Sequence, residues 1–306
     1  MIEVLSVASE CHPLIKTGGL ADVVGALPRA LAPLGVSMRV LLPGYPAVLS
    51  RLEGARVAAD LGDYFGGPSR LLAGRAEHLD LIVLDAPHLF GRPGNPYLDP
   101  DGVDWPDNWR RFASLSYAAY ELARGVVEGY GPQVLHCHDW QAGLVPAYEA
   151  FNAPIRAKTV LTIHNLAFQG IFGWSIFPEL RLDFRAAEVG AIEYFGNISF
   201  LKAGLQCADV LTTVSPTYAY EIRTSSYGMG MDGLLRSRAD MLHGILNGID
   251  TSEWNPATDP ALPESYGPGS TERRAVNKAA LAAVFGIAAG EGPLFGVVSR
   301  LTWQKG

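Results

Sequence analysis

Cysteine is scarce in this sequence, and none of it is paired by spacing. Cys11, Cys137 and Cys207 are the three among 306 residues, with no C-x-x-C pair. That excludes a disulfide framework and suits free, buried thiols in a reducing compartment, so the expected location is cytoplasmic. No apolar run approaches the roughly 20 residues of a membrane span, and the N-terminus lacks the basic segment and apolar core of a secretory signal. Basic residues are in deficit, 24 against 31 acidic for a net charge of −7. This argues against nucleic acid and against an anionic membrane surface as partners. G-x-x-x-x-G-K-[ST] is missing, as is G-x-G-x-x-G at the first turn, which disfavours a P-loop and a standard dinucleotide fold. There is no G-x-S-x-G elbow, which disfavours nucleophilic hydrolysis.

What is present is a recurrence of strand-length apolar runs: 4–9, 38–42, 79–84, 134–138, 160–163 and 210–214. They are rich in Val, Ile and Leu without strict alternation, as expected for strands buried on both faces of a parallel sheet. Helical patterns at 21–34, 109–127, 142–151 and 198–208 lie between several of them. The alternation predicts an α/β domain with a doubly wound, mostly parallel sheet, in which ligands bind beyond the carboxyl ends of the strands. Residues 91–108 and 168–174, broken by Pro or Gly and carrying aromatics, read as loops that either pack or stack on sugar rings. A Pro/Gly/Ser-rich stretch at 255–270 predicts an interdomain linker. A helix at 276–285 and a further buried strand at 294–299 follow it.

The strand-end rule selects four places. Lys16-Thr17-Gly18-Gly19 lies between the first strand and the first helix, where free backbone N–H groups and the helix dipole favour an anion and a glycine lets the backbone approach it. A tight turn with a solvated lysine has the same pattern. His136-Cys137-His138-Asp139 ends a strand, with both histidines on one face. No third ligand cluster accompanies them, so no metal is expected; Asp139 reads as the functional residue and one histidine as a satisfied core side chain. His164 follows another strand and could act as general acid or base, as a donor to a sugar hydroxyl, or as a strand-end cap; Asn165 has the same range of roles. Ser215-Pro216 marks the fourth strand end. Asn247-Gly248-Ile249-Asp250 reads as a turn. Arg300 and Lys305, five residues apart, could hold a diphosphate or be ordinary surface charges.

Taken together, the motifs resemble bacterial glycogen synthases and plant starch synthases. They are Lys16-Thr17-Gly18-Gly19-Leu20-Ala21-Asp22-Val23, His138-Asp139-Trp140-Gln141-Ala142-Gly143, Thr162-Ile163-His164-Asn165-Leu166-Ala167, Ile198-Ser199-Phe200-Leu201-Lys202-Ala203-Gly204, Thr213-Val214-Ser215-Pro216-Thr217-Tyr218-Ala219, Asn247-Gly248-Ile249-Asp250 and Ser299-Arg300-Leu301-Thr302-Trp303-Gln304-Lys305-Gly306. The resemblance implies a GT-B-type architecture of two Rossmann-like domains and transfer of glucose from ADP-glucose to the non-reducing end of an α-1,4-glucan (glycogen), with retention. It implies that Lys16, Gly18 and Gly19 meet the donor diphosphate and glucose, that His164 and Asp139 flank the transferred glucose, and that Tyr97 and Asn165 line the cleft. Arg300 and Lys305 match the family's diphosphate cations. Asp22 and Asn247 are expected to bind substrate through the motifs that contain them. No metal or other cofactor is expected, because two cations and a helix N-terminus can serve the leaving diphosphate.

Family members continue well past residue 306. The expected organisation is therefore an acceptor-side catalytic domain at 1–250, a linker and helix at 251–290, and the start of a donor-nucleotide domain at 291–306. That second domain stops after its first strand, so the chain is expected to be weakly active or inactive alone. UDP-glucose is the alternative donor, and a non-catalytic glucan-binding module is the alternative from outside enzymology.

Overall fold

A computed structural model gives the structure of residues 1–299; Arg300 and Lys305 lie outside the described residues. The chain divides into two units, Met1–Asn247 and Gly248–Gly306.

In the first unit the strands, in chain order, are β1 (Ile2–Val7), β2 (Val36–Pro43), β3 (Glu53–Asp63), β4 (Pro68–Ala76), β5 (Leu79–Asp85), β6 (Val134–His138), β7 (Lys158–Ile163), β8 (Ile171–Phe172), β9 (Glu193–Tyr194), β10 (Asn197–Ser199), β11 (Val210–Thr213) and β12 (Leu242–Gly244). Nine of them form one sheet in the order β12-β11-β7-β6-β1-β2-β5-β4-β3. From β12 to β5 every pairing is parallel, and β4 and β3 extend the sheet as antiparallel strands. Consecutive residues such as Val40, Leu41 and Leu42, or Leu81 to Leu84, are buried together. Burial on both faces explains their unbroken apolar runs.

The chain builds outward from β1 to β2 and β5, then returns to place β6 on the other side of β1. That reversal puts a crevice between the carboxyl ends of β1 and β6, the standard ligand position in such sheets. The helix Gly19–Leu31 follows β1 and buries Leu20, Ala21, Val24 and Pro28. Gly25 lets the preceding loop lie on this helix: an ideal Cβ there would sit 2.2 Å from the His12 carbonyl oxygen.

Beside β6, the helices Leu144–Phe151 and Phe200–Cys207 approach closely. A Cβ on Gly143 would lie 2.2 Å from the Phe200 carbonyl oxygen, and one on Gly204 would lie 2.9 Å from the Gly143 carbonyl oxygen. Ser199 caps the second helix, accepting from the Lys202 backbone N–H at 3.1 Å.

Several expectations change. The β3–β4 hairpin was not expected: β3 is charged, contains two glycines and lies mostly exposed at the sheet edge. The helical pattern at 198–208 starts instead with β10, whose partners are β8 and β9. That pairing also makes the 168–174 loop partly strand.

In the second unit the 255–270 stretch is fixed to the helix Arg274–Val284: Asn277 accepts from the Glu264 N–H at 3.0 Å and donates to its carbonyl at 2.8 Å. Residues 294–299, expected as a strand, belong to no ladder among the described residues, and Phe295, Val297 and Val298 are exposed. A strand needs a neighbour for its backbone groups. The turn expected at Asn247–Asp250 starts later, with the Trp254 N–H donating to the Asp250 carbonyl at 2.8 Å.

Gly143→Ala is expected to destabilise the first unit by about 1–3 kcal/mol in chemical denaturation, since backbone must move to admit the methyl. Gly233→Ala, whose Cβ would meet only the end of Arg236 at 3.9 Å, should be neutral or stabilising by up to ~1 kcal/mol.

Candidate functional site at the strand ends

The turn after β1 is held from below by Glu10. This carboxylate is 3% exposed and accepts from the Thr17 backbone N–H, from the Thr17 hydroxyl at 2.7 Å and from the Tyr97 hydroxyl. The Tyr97 hydroxyl also lies 2.8 Å from Ser9 Oγ. One buried carboxylate thereby joins the Lys16–Gly19 turn to the loop at 91–107. Arg111 fixes that loop from the helix Asn108–Ala123, donating to the carbonyls of Leu89 and Pro96 at 2.9 Å each.

Above the clamp, Gly18 starts the helix with extended backbone and no side-chain cap. Ideal Cβ atoms on Gly18 and Gly19 would meet nothing within 4 Å. No side chain caps the first helical N–H groups, and the glycines leave room beside them, an arrangement that suits an anion. Lys16 stands beside them, paired with Asp22 at 2.6 Å, both side chains about half exposed.

At the end of β6, Asp139 adopts φ +53° and ψ −164°, a region that costs a non-glycine residue about 1–3 kcal/mol. Its carboxylate is anchored by the backbone of the next strand end, accepting from the N–H of His164 at 2.7 Å and of Asn165 at 3.4 Å. Burial pushes its pKa up to about 7, against the pull of those two N–H groups; the charge on Glu10 adds to the rise. Glu10 and Asp139 thus sense each other across the β1–β6 crevice. Asn165 turns its side chain back to accept from the Ala167 N–H at 3.0 Å.

Three histidines line these strand ends. His136 Nε2 lies 2.6 Å from Thr162 Oγ1, and His138 Nδ1 lies 2.9 Å from His164 Nε2. Burial lowers the pKa of His136 and of His164 to about 4 and depresses His138 further in the same direction. All three are neutral at pH 7 and act as hydrogen-bonding groups. Among the described residues, no group of three or more His, Cys, Asp or Glu is arranged to hold a metal ion.

The structure thus brings Lys16, Gly18, Gly19, Asp22, Tyr97, Asp139, His164 and Asn165 to the carboxyl ends of β1, β6 and β7. Asn247 is exposed at the end of the first unit, and no hydrogen bond among the described residues ties it to these strand ends. Sequence reasoning missed Glu10, although it follows β1 as Asp139 follows β6. It also left the histidines unresolved: both His136 and His138 are partnered.

A pH signature follows. A histidine held neutral contributes stability that is present above its unfolded pKa of about 6.5 and is lost as pH falls toward 4. Asp139 acts oppositely, stabilising at low pH and losing that contribution as pH rises to about 7. Replacing His136 by Asn should therefore reduce the stability lost between pH 7.5 and pH 5 by on the order of 1–2 kcal/mol in urea titrations. Equal losses in both proteins would show that His136 titrates as it does in the unfolded chain.

A family model described as the starch synthase catalytic domain matches residues 3–237. The chain is 55% identical over 303 residues to a glycogen synthase of Rhodopseudomonas palustris (strain HaA2), covering 99% of this chain and 63% of that protein. It is 54% identical over 306 residues to glycogen synthase 1 of Rhizobium meliloti (strain 1021), covering 100% and 64%. The chain thus spans a little under two thirds of the length of these relatives. Among solved structures, the catalytic domain of starch synthase IV from Arabidopsis thaliana, bound to ADP and acarbose, superposes with a TM-score of 0.81 at 31% identity, over 95% of this chain and 60% of that one. With its doubly wound sheet, its open glycine turn and these matches, the chain belongs to the starch synthase catalytic-domain family.

Proposed function

We propose that the protein transfers glucose from ADP-glucose to the non-reducing end of an α-1,4-glucan such as glycogen, with retention at the anomeric carbon. The observation that carries this is the convergence at the β1–β6 switch point: an uncapped helix N-terminus with an open glycine turn and a lysine stands over one strand end, and a buried carboxyl stands at the next. A departing nucleoside diphosphate builds negative charge, which N–H dipoles and cations stabilise. Lys16 and the Gly18–Gly19 amides supply part of that in this reading, and the family resemblance adds Arg300 and Lys305, which lie outside the described residues. No metal is needed in this scheme.

The sugar left behind passes through an oxocarbenium-like state. Asp139 and His164 stand beside it. Asp139, with its pKa near neutrality, gains its charge most readily when a positive ring approaches. By the family resemblance, Tyr97, Asn165, Asp22 and Asn247 contribute on the substrate side. The leaving diphosphate takes the acceptor's proton on the same face, so no protein nucleophile is required. ADP in the starch synthase IV structure supports an adenine donor. The free thiols, Cys11 and Cys137 buried and Cys207 partly so, support a cytosolic setting.

Two measurements on the complete protein test this. With glycogen as acceptor, ADP-glucose should be used far faster than UDP-glucose; comparable rates would remove the donor assignment. Lys16→Ala should lower kcat/KM for the donor by about 10- to 150-fold, the size of a lost charge-assisted hydrogen bond, with the melting temperature unchanged. An unaltered kcat/KM would take Lys16 out of the site.

A further inference from the structure

His138 is buried, and both of its ring nitrogens are used. Nε2 lies 3.1 Å from Ser6 Oγ, and Nδ1 lies 2.9 Å from His164 Nε2. Ser6 is on β1, His138 ends β6 and His164 follows β7, so the chain of contacts crosses three adjacent parallel strands. We infer that Ser6 and His138 are positioning residues that fix His164 in one tautomer, with Nε2 as acceptor and Nδ1–H as the donor offered to the ligand. This rests on the proposed site for the ligand's identity, but the tautomer itself does not.

The direction follows from hydrogen-bond accounting. Each neutral imidazole has one N–H and one acceptor nitrogen, so the chain can be polarised only two ways. In the first, the Ser6 hydroxyl donates to His138 Nε2, His138 Nδ1–H donates to His164 Nε2, and His164 carries its proton on Nδ1. In the second, every bond reverses and His138 Nε2–H donates to Ser6. The Ser6 hydroxyl hydrogen then has no acceptor, because Ser6 is 1% exposed and its side chain makes no other hydrogen bond among the described residues. A buried donor without a partner is disfavoured. The second chain is therefore the minor one.

Burial lowers the basicity of both rings and keeps them neutral, which is the state the accounting assumes. His164 Nδ1 bonds to nothing among the described residues, and the ring is partly exposed. It is the nitrogen left for a substrate, and it arrives as a donor to an acceptor oxygen such as a sugar hydroxyl or a phosphoryl oxygen. This tautomer cannot serve as a base through Nδ1.

Nitrogen-15 NMR of histidine-labelled protein reads the tautomer without substrate. The expected result is a protonated Nδ1 and an unprotonated Nε2 for His164. Ser6→Ala should populate the opposite tautomer of His164, with near-unchanged thermal melting, and Ser6→Thr should restore the original one. Nε2–H in the unmodified protein, or a tautomer indifferent to Ser6→Ala, would overturn the relay. In the complete protein Ser6→Ala should also lower turnover by about tenfold, the scale of one hydrogen bond. A shifted tautomer with full turnover would leave the relay standing and overturn the placement of His164 against substrate.

Discussion

Glu10 and Asp139 are carboxylates buried at neighbouring strand ends, and neither has a lysine or arginine partner among the described residues. Burying an ionisable carboxyl without such a partner is costly unless hydrogen-bond donors replace the lost water. Here the donors are backbone N–H groups and hydroxyls belonging to the next piece of chain: Thr17 and Tyr97 for Glu10, His164 and Asn165 for Asp139. The requirement to satisfy each carboxylate therefore dictates where the glycine turn, the 91–107 loop and the end of β7 can lie. The site's geometry is a consequence of that requirement.

The two carboxylates divide the work. Glu10 holds the turn through the Thr17 backbone N–H and hydroxyl, while Lys16 is half exposed and, among the described residues, is paired with Asp22. A cation held by one exposed partner can turn toward an incoming phosphate at little cost. Asp139 stands at the next strand end, in a strained backbone conformation with its pKa raised to about 7. The histidines next to it contribute fixed dipoles in place of positive charges, since burial keeps them neutral. The lysine of the glycine turn and the buried carboxyl of Asp139 thus stand at different strand ends, brought together because β1 and β6 are neighbours at the reversal of strand order.

The parallel strands were legible because burial on both faces leaves unbroken Val, Ile and Leu runs, as in β2 and β5. The β3–β4 hairpin was hidden because an edge strand such as Glu53–Asp63 can be charged and glycine-bearing and still pair. Residues 294–299 carry the right composition for a strand, yet composition cannot supply a neighbour. Asp139 and His164 could be located by the rule that function gathers at strand ends. Their hydrogen-bond partners could not, because the link from His138 to Ser6 spans 132 residues and leaves no local pattern. The tie from Glu10 to Tyr97, 87 residues apart, is invisible in the sequence for the same reason.

The central claim is that the turn braced by Glu10 is the seat of the donor's diphosphate. Crystals of the complete protein soaked with ADP test it directly. Phosphate density against the Gly18–Gly19 amides and the Lys16 ammonium, with Asp139 and His164 on the side where the sugar would follow, is the predicted result. Well-ordered ADP bound away from that turn would contradict it.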